Sequence, residues 1–171
     1  MTESIERLIR DVPDFPKPGI LFKDITPLLQ DPAGFRETID ILVNRYAGQN
    51  IEKVVGIDAR GFIFAGAMAY QMGCGMGLVR KQGKLPWETR AQTYELEYGT
   101  NTVEIHTDTV TEGERIVIVD DLLATGGTMG AAVDLLQGAG AHIVEAAFIV
   151  ELDFLKGRDK LSTEVFSLLH Y

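Results

Sequence analysis

A chain of 171 residues has room for one domain with a sizeable core, burying roughly 68–70% of the surface of its unfolded form. Its hydrophobic content of 46% and charged content of 24% are ordinary for a soluble globular protein, and a net charge of −9 argues against nucleic acid or an anionic membrane as the main partner. The lone Cys74 excludes an internal disulfide and fits a reducing, cytoplasmic setting; the amphipathic N-terminus does not read as a signal peptide, and no apolar run is long enough to span a membrane.

In chain order, residues 4–10 predict a short helix with Ile5, Leu8 and Ile9 on one face. Pro13, Pro16, Pro18 and Gly19 then force a stiff, extended excursion. Ile20 to Pro27 is too short and irregular for an amphipathic element and reads, on pattern alone, as a packed surface arm. Asp31-Pro32 opens a helix as N-cap and first helical residue, with Phe35, Ile39, Leu42, Val43 and Tyr46 as its apolar stripe and Gly48 as its stop.

Lys53 to Ile57 predicts a central strand that delivers Asp58-Ala59-Arg60-Gly61, and Phe62 to Met72 an apolar helix ending at Gly73. The junction reads equally as an ordinary turn with a solvated Arg60 or as an anion loop. Gly77-Leu78-Val79 is a third strand. The polar stretch from Arg80 to about Thr93 shows no core and fits a mobile lid, from which Lys84 can close over an anion that Arg80 reaches from the strand end. Arg60, Arg80, Lys81, Lys84 and Arg90 share their stretch with only Glu88, a positive patch suited to a small polyanion. Tyr94–Gly99 and Thr102–His106 alternate as a hairpin turning at Gly99-Thr100-Asn101, and that spacing puts Glu97 on the solvated face. His142 to Leu152 is a further strand, Leu155 to Leu161 a short helix and Val165 to Leu169 an edge strand. His106, His142 and His170 lack ligand spacing, which predicts no built-in zinc site.

Between the hairpin and that last strand pair lies the stretch on which the rest converges. Ile116-Val117-Ile118-Val119 reads as a strand buried on both faces; Asp120-Asp121 follow, then Leu122-Leu123, then Ala124-Thr125-Gly126-Gly127-Thr128, then helical spacing through Ala132, Leu135 and Leu136. Glycines let backbone N–H groups approach a phosphate closely. Several charge-assisted bonds, at roughly 1.5–3 kcal/mol each, outweigh a helix dipole worth roughly 0.3–1 kcal/mol. Asp120 and Asp121 have the wrong sign for a phosphate and the right chemistry for vicinal ribose hydroxyls. A ribose 5-phosphate therefore fits with its phosphate on the loop and its hydroxyls on the acids. No G-x-x-x-x-G-K-[ST] occurs, and Gly73-Cys74-Gly75-Met76-Gly77 misses G-x-G-x-x-G at Leu78.

The run from Ile116 to Thr128 resembles the phosphoribosyl pyrophosphate (PRPP) signature of the type I phosphoribosyltransferases nearly residue for residue. Four other segments are similar to the adenine phosphoribosyltransferases: Phe15 to Leu29, Gly56-Ile57-Asp58-Ala59-Arg60-Gly61-Phe62, Arg80-Lys81-Gln82-Gly83-Lys84-Leu85-Pro86, and Leu96-Glu97-Tyr98-Gly99. The resemblance implies an α/β fold with a central, mainly parallel sheet flanked by helices, forming one domain over 1–171. An N-terminal hood would cover about 1–34 and a mobile β-hairpin lid about 81–104.

It implies transfer of ribose 5-phosphate from PRPP to adenine, giving AMP and pyrophosphate in purine salvage. Phe22 would stack on the base, with main-chain contacts from Leu21 and Lys23. Lys23 stands where many members carry Arg, an exchange that matters little for a main-chain contact and more for a guanidinium. Ala59, Arg60, Arg80 and Lys84 would hold the diphosphate, with a cis peptide at Asp58–Ala59. Asp120, Asp121, Ala124, Thr125, Gly126, Gly127 and Thr128 would hold the sugar phosphate, and Tyr98 would line the PRPP site. Glu97, facing the purine's imidazole edge, would act in catalysis with Arg60 and Lys84. Mg²⁺ is expected mainly through PRPP, without direct side-chain ligation, and the enzyme as a homodimer in which Lys84 serves its own or its partner's site. A transferase for another purine base, or a non-catalytic PRPP-sensing regulator, are the alternatives; the hood motif opposes the first and the absence of a DNA-binding module the second.

Overall fold

The β-branched runs form strands as their composition requires. The computed structural model describes residues 2–96 and 99–171. Within them, residues 1–45 and 46–171 make two compact units.

The first unit holds helix α1 (Glu3–Glu6), strands β1 (Arg10–Pro13) and β2 (Leu21–Asp24), and helices α2 (Thr26–Gln30) and α3 (Pro32–Arg45). Two expectations are corrected here. The helix predicted over residues 4–10 stops after Glu6, and Arg10 begins a strand. The arm predicted to be irregular is β2, antiparallel to β1 with Val12 opposite Phe22. Neither short strand alternates cleanly, because each has only one strand partner and little buried face. Asp31 does cap α3: its carboxylate accepts from the Gly34 N–H at 2.7 Å. Ile5, Ile25, Leu28, Ile39 and Leu42 are buried.

The second unit is a seven-stranded sheet. Its elements are β3 (Lys53–Ile57), α4 (Gly61–Met72), β4 (Gly75–Lys81), β5 (Thr89–Glu95), β6 (Thr100–His106), β7 (Arg115–Leu123), α5 (Gly127–Gly138), β8 (His142–Glu151) and β9 (Val165–His170). The order is β5-β6-β4-β3-β7-β8-β9; the five strands β4-β3-β7-β8-β9 run parallel, β6 is antiparallel to β4, and β5 is antiparallel to β6. Parallel strands need both faces covered. Val55, Ile57, Ile116 and Ile118 pack with Met129, Ala132 and Leu136 of α5. With a period of two, Val54, Val117 and Val119 turn to the other face, where α4 packs on β3 and β7.

Four stretches differ from expectation. Strand β7 runs on to Leu123, so Asp120 and Asp121 lie within it: Asp120 still pairs with Phe148 of β8. The hairpin turns earlier than predicted, with Glu95 opposite Thr100 and the Leu96 N–H bonded to the Gly99 carbonyl at 2.8 Å. Polar Thr89 to Thr93 is strand because β5 is a sheet edge, where exposed polar residues are tolerated. The helix expected over Leu155 to Leu161 is two 3-10 turns, Asp153–Leu155 and Gly157–Lys160.

Candidate active site

The C-terminal ends of parallel strands are where open α/β sheets place ligands, and here β3 and β7 end side by side. From β3 the chain passes through Asp58, a cis Asp58–Ala59 peptide and Arg60 into α4, which confirms the cis bond expected there. From β7 it passes through Ala124-Thr125-Gly126 into α5. Gly126 adopts φ +79°, a conformation only glycine takes freely, and the first intrahelical bond of α5 runs from the Gly130 N–H to the Gly126 carbonyl at 2.8 Å. The N–H groups ahead of that bond are the ones a helix start leaves for an anion.

The two strand ends are joined by charge. Arg60 Nε donates to the buried Asp121 carboxylate at 2.5 Å, while the guanidinium remains half exposed. Arg80, at the end of β4, repeats the arrangement: its Nε donates to Asp58 at 3.0 Å and a terminal nitrogen to the Lys84 carbonyl at 3.1 Å. The same guanidinium lies 5.9 Å from the Phe62 ring centre. Both guanidinium groups expected at a diphosphate are thus held by carboxylates, and Lys84 is exposed beside them.

Asp120 has no such cation at bonding distance among the described contacts. Burial, and after it the negative charge of Asp121, push its carboxyl well above the usual carboxylate range; the Asp121 N–H, donating to Asp120 Oδ1 at 2.8 Å, and Arg60 pull the other way. Asp120 and Thr128 line two adjoining hollows. One, of about 100 Å³, is walled by the Ala124–Met129 loop and Phe148. The other, of about 210 Å³, is walled by Asp58, Arg80, Lys81, Tyr94, Leu96 and Asn101. A small anion pocket opening beside a larger cleft, with a carboxylate at their seam, suits a sugar phosphate whose hydroxyls meet the acid.

The structure therefore brings together Ala59, Arg60, Arg80, Lys84, Asp120, Asp121 and the Ala124–Thr128 loop. Glu97 and Tyr98 lie outside the described residues. In the first unit, Phe22 sits edge-on to Phe15 with ring centres 5.2 Å apart, and the Lys23 ammonium is held by Asp11 at 2.6 Å.

Sequence reasoning missed four supporting residues. Tyr94 hydrogen-bonds the Thr128 hydroxyl at 2.9 Å; buried Glu104 accepts from the Gly83 N–H at 3.0 Å and pins the turn after β4; Asp58 holds Arg80; Gly157 abuts Ala124 and Gly126. An acid at an inward strand position was the one available signal, for Glu104. Among the described residues Glu151, Asp153 and His170 also cluster at ligating distances, but Glu151 is taken up by Arg158 at 2.7 Å and Ser167 at 2.5 Å.

Residues 24–168 match the phosphoribosyl transferase domain family. The adenine phosphoribosyltransferase of Geotalea daltonii is 58% identical over 99% of both chains. Among solved structures, that of the Thermoanaerobacter pseudethanolicus enzyme aligns with a TM-score of 0.96 at 48% identity over all of both chains. The Saccharomyces cerevisiae enzyme, complexed with an imino-altritol bisphosphate and adenine, aligns at 0.94 with 40% identity over 98% of each. The chain belongs to the adenine phosphoribosyltransferases, within the phosphoribosyl transferase domain family.

Proposed function

We propose the following division of labour for the reaction of this family, transfer of ribose 5-phosphate from PRPP to adenine to give AMP and pyrophosphate. The 5-phosphate rests on the backbone of Ala124 to Thr128, and Asp120 and Asp121 accept from the ribose hydroxyls. Ala59, through its backbone, and Arg60, Arg80 and Lys84 hold the diphosphate. The observation that carries this reading is the place of Asp120, at the seam between the hollow walled by the Ala124–Met129 loop and a cleft bearing Arg80.

Adenine N9 attacks the anomeric carbon as the bond to the diphosphate oxygen breaks, and the electron pair leaves with pyrophosphate. Positive charge develops on the sugar, where Asp120 and Asp121 stabilise it electrostatically, while Arg60, Arg80 and Lys84 neutralise the leaving group. Glu97 accepts the purine's imidazole proton from N7 as N9 forms its bond to the sugar. Tyr98 lines the PRPP site.

Leu21, Phe22 and Lys23 are assigned to the base. One edge of β2 has no strand partner, so its main chain has N–H and C=O groups with which to match the 6-amino donor and N1 acceptor of adenine. With its side chain on Asp11, Lys23 fits a main-chain role.

The site's side-chain donors are hard carboxylate oxygens, the chemistry that suits Mg²⁺ held largely by substrate phosphates, with Asp120 and Asp121 nearest the sugar. When bound, the ion supplies charge neutralisation at the diphosphate. Exposed Ile63 and Tyr70, with Ala67 between them on one face of α4, support a homodimer. No helix among the described residues is long and apolar enough to cross a membrane, and a free Cys74 fits the cytoplasm.

A steady-state assay with PRPP, Mg²⁺ and a panel of purine bases tests the assignment. AMP from adenine, with hypoxanthine and guanine poor, is the expected result. No product from any base would refute it.

A further inference from the structure

We propose that Gly157, fixed by the Arg158–Glu151 pair, is a positioning residue that sets the shape of the phosphate loop; the proposal rests on the reading of Ala124 to Thr128 as that loop.

The two segments meet backbone to backbone. A Cβ built on Gly126 would lie 2.3 Å from the Gly157 carbonyl oxygen, and one built on Gly157 would lie 2.2 Å from the Ala124 carbonyl oxygen and 3.0 Å from the Gly126 nitrogen. No flexible side chain stands between them to give way. A methyl group at Gly157 must therefore move either its own turn or the loop whose N–H groups face the phosphate.

The turn is the less movable of the two. Arg158 grips buried Glu151 with both prongs, Nε to Oε1 at 3.0 Å and a terminal nitrogen to Oε2 at 2.7 Å, and a further N–H donates to the Val165 carbonyl at 3.2 Å. Ser167 donates to the same Glu151 Oε2 at 2.5 Å. The turn is thereby anchored to β8 and β9 at once, and the Leu152 N–H, bonded to the Leu123 carbonyl at 3.0 Å, ties its approach to the end of β7. The loop, by contrast, has only backbone on its Gly157 side. A Gly157 side chain displaces the loop. Neither Gly157 nor Arg158 lines the two hollows, so the effect is on geometry and not on contact with substrate.

Calorimetric titration of the full chain with PRPP and Mg²⁺, beside steady-state kinetics, tests this. For Gly157→Ala the PRPP Kd should rise about tenfold or more while the adenine KM stays within about twofold, a split that general loosening does not produce. An unchanged PRPP Kd in the folded variant, or equal losses toward PRPP and adenine, overturns the proposal. Should Gly157→Ala not fold, Arg158→Lys replaces it: the charge stays, the two-pronged grip goes, and PRPP binding should weaken about threefold at unaltered adenine KM. No weakening there overturns it too. A parent protein that binds PRPP but makes no AMP would remove the transferase reading and leave the Kd comparison to decide this one; a parent that binds no PRPP removes both.

Discussion

The hydroxyl of Tyr94, on the edge strand β5, meets the hydroxyl of Thr128, in the first turn of α5, at 2.9 Å. A hydroxyl has one donor and two acceptor positions. Tyr94 can donate to Thr128 while Thr128 donates onward to a phosphate, so the bond orients Thr128 toward an anion instead of competing with one. Tyr94→Phe should leave the fold intact and lower kcat/KM for PRPP about three- to tenfold, the equivalent of one hydrogen bond at about 0.5–1.5 kcal/mol. PRPP saturation kinetics check it, and unaltered kinetics would make the contact incidental.

Asp120→Asn should trade function for stability. The folded-state pKa of Asp120 lies above its ordinary value, so the folded protein binds a proton that the unfolded chain has lost. Its contribution is most favourable below the ordinary carboxylate range and declines as pH rises through the raised pKa. The Asn variant keeps an oxygen for the Asp121 N–H and drops the charge. Its ligand-free Tm at pH 7 should exceed the parent's, by about 2–4 °C for each kcal/mol recovered, with the gap closing as the solution is acidified. PRPP turnover should fall. Equal melting curves at all pH values would mean that Asp120 ionises in the fold at no cost.

Lys84 is exposed, and among the described residues only its main chain is bonded, the N–H to Lys81 and the carbonyl to Arg80. Lys84→Ala should therefore leave the unfolding free energy within about 0.5 kcal/mol of the parent, as exposed substitutions do, while PRPP turnover drops by tenfold or more for loss of a charge at the leaving group. A normal PRPP saturation curve and rate would take Lys84 out of the site.

For Glu97→Ala we expect a fall in kcat of about 10²–10⁴, the range of a positioned acid–base group, with melting unchanged. Unchanged turnover would return Glu97 to the solvated face that strand alternation alone gives it.

The central strands were legible because buried parallel strands are unbroken β-branched runs: Lys53 to Ile57 was read to the residue, and Ile116 to Val119 fell inside β7. The Ala124–Thr128 loop stands out in the sequence because glycine, hydroxyl and acid types converge in one short stretch, and its role with phosphate is the proposal made above. What escaped is what pattern does not encode. Strand β7 outlasts its apolar run because Asp120 stays paired with Phe148 of β8 and the Asp121 carboxylate is held by Arg60, and β5 is made by its pairing with β6 and not by its own alternation. Gly157 carries no local signal at all, since its need for a bare Cα comes from Ala124 and Gly126, more than thirty positions earlier.

Strands β3 and β7 are immediate neighbours, with Gly56 level with Val119, and each ends in one of the two loops assigned to phosphates. Adjacent strands stand about 4.7–4.9 Å apart whatever side chains they carry. On the proposed assignment the sheet acts as a ruler for the two ends of PRPP, graduated in peptide groups. Sequence can drift widely around it without altering the interval, and at 40% identity the yeast enzyme still superimposes with a TM-score of 0.94.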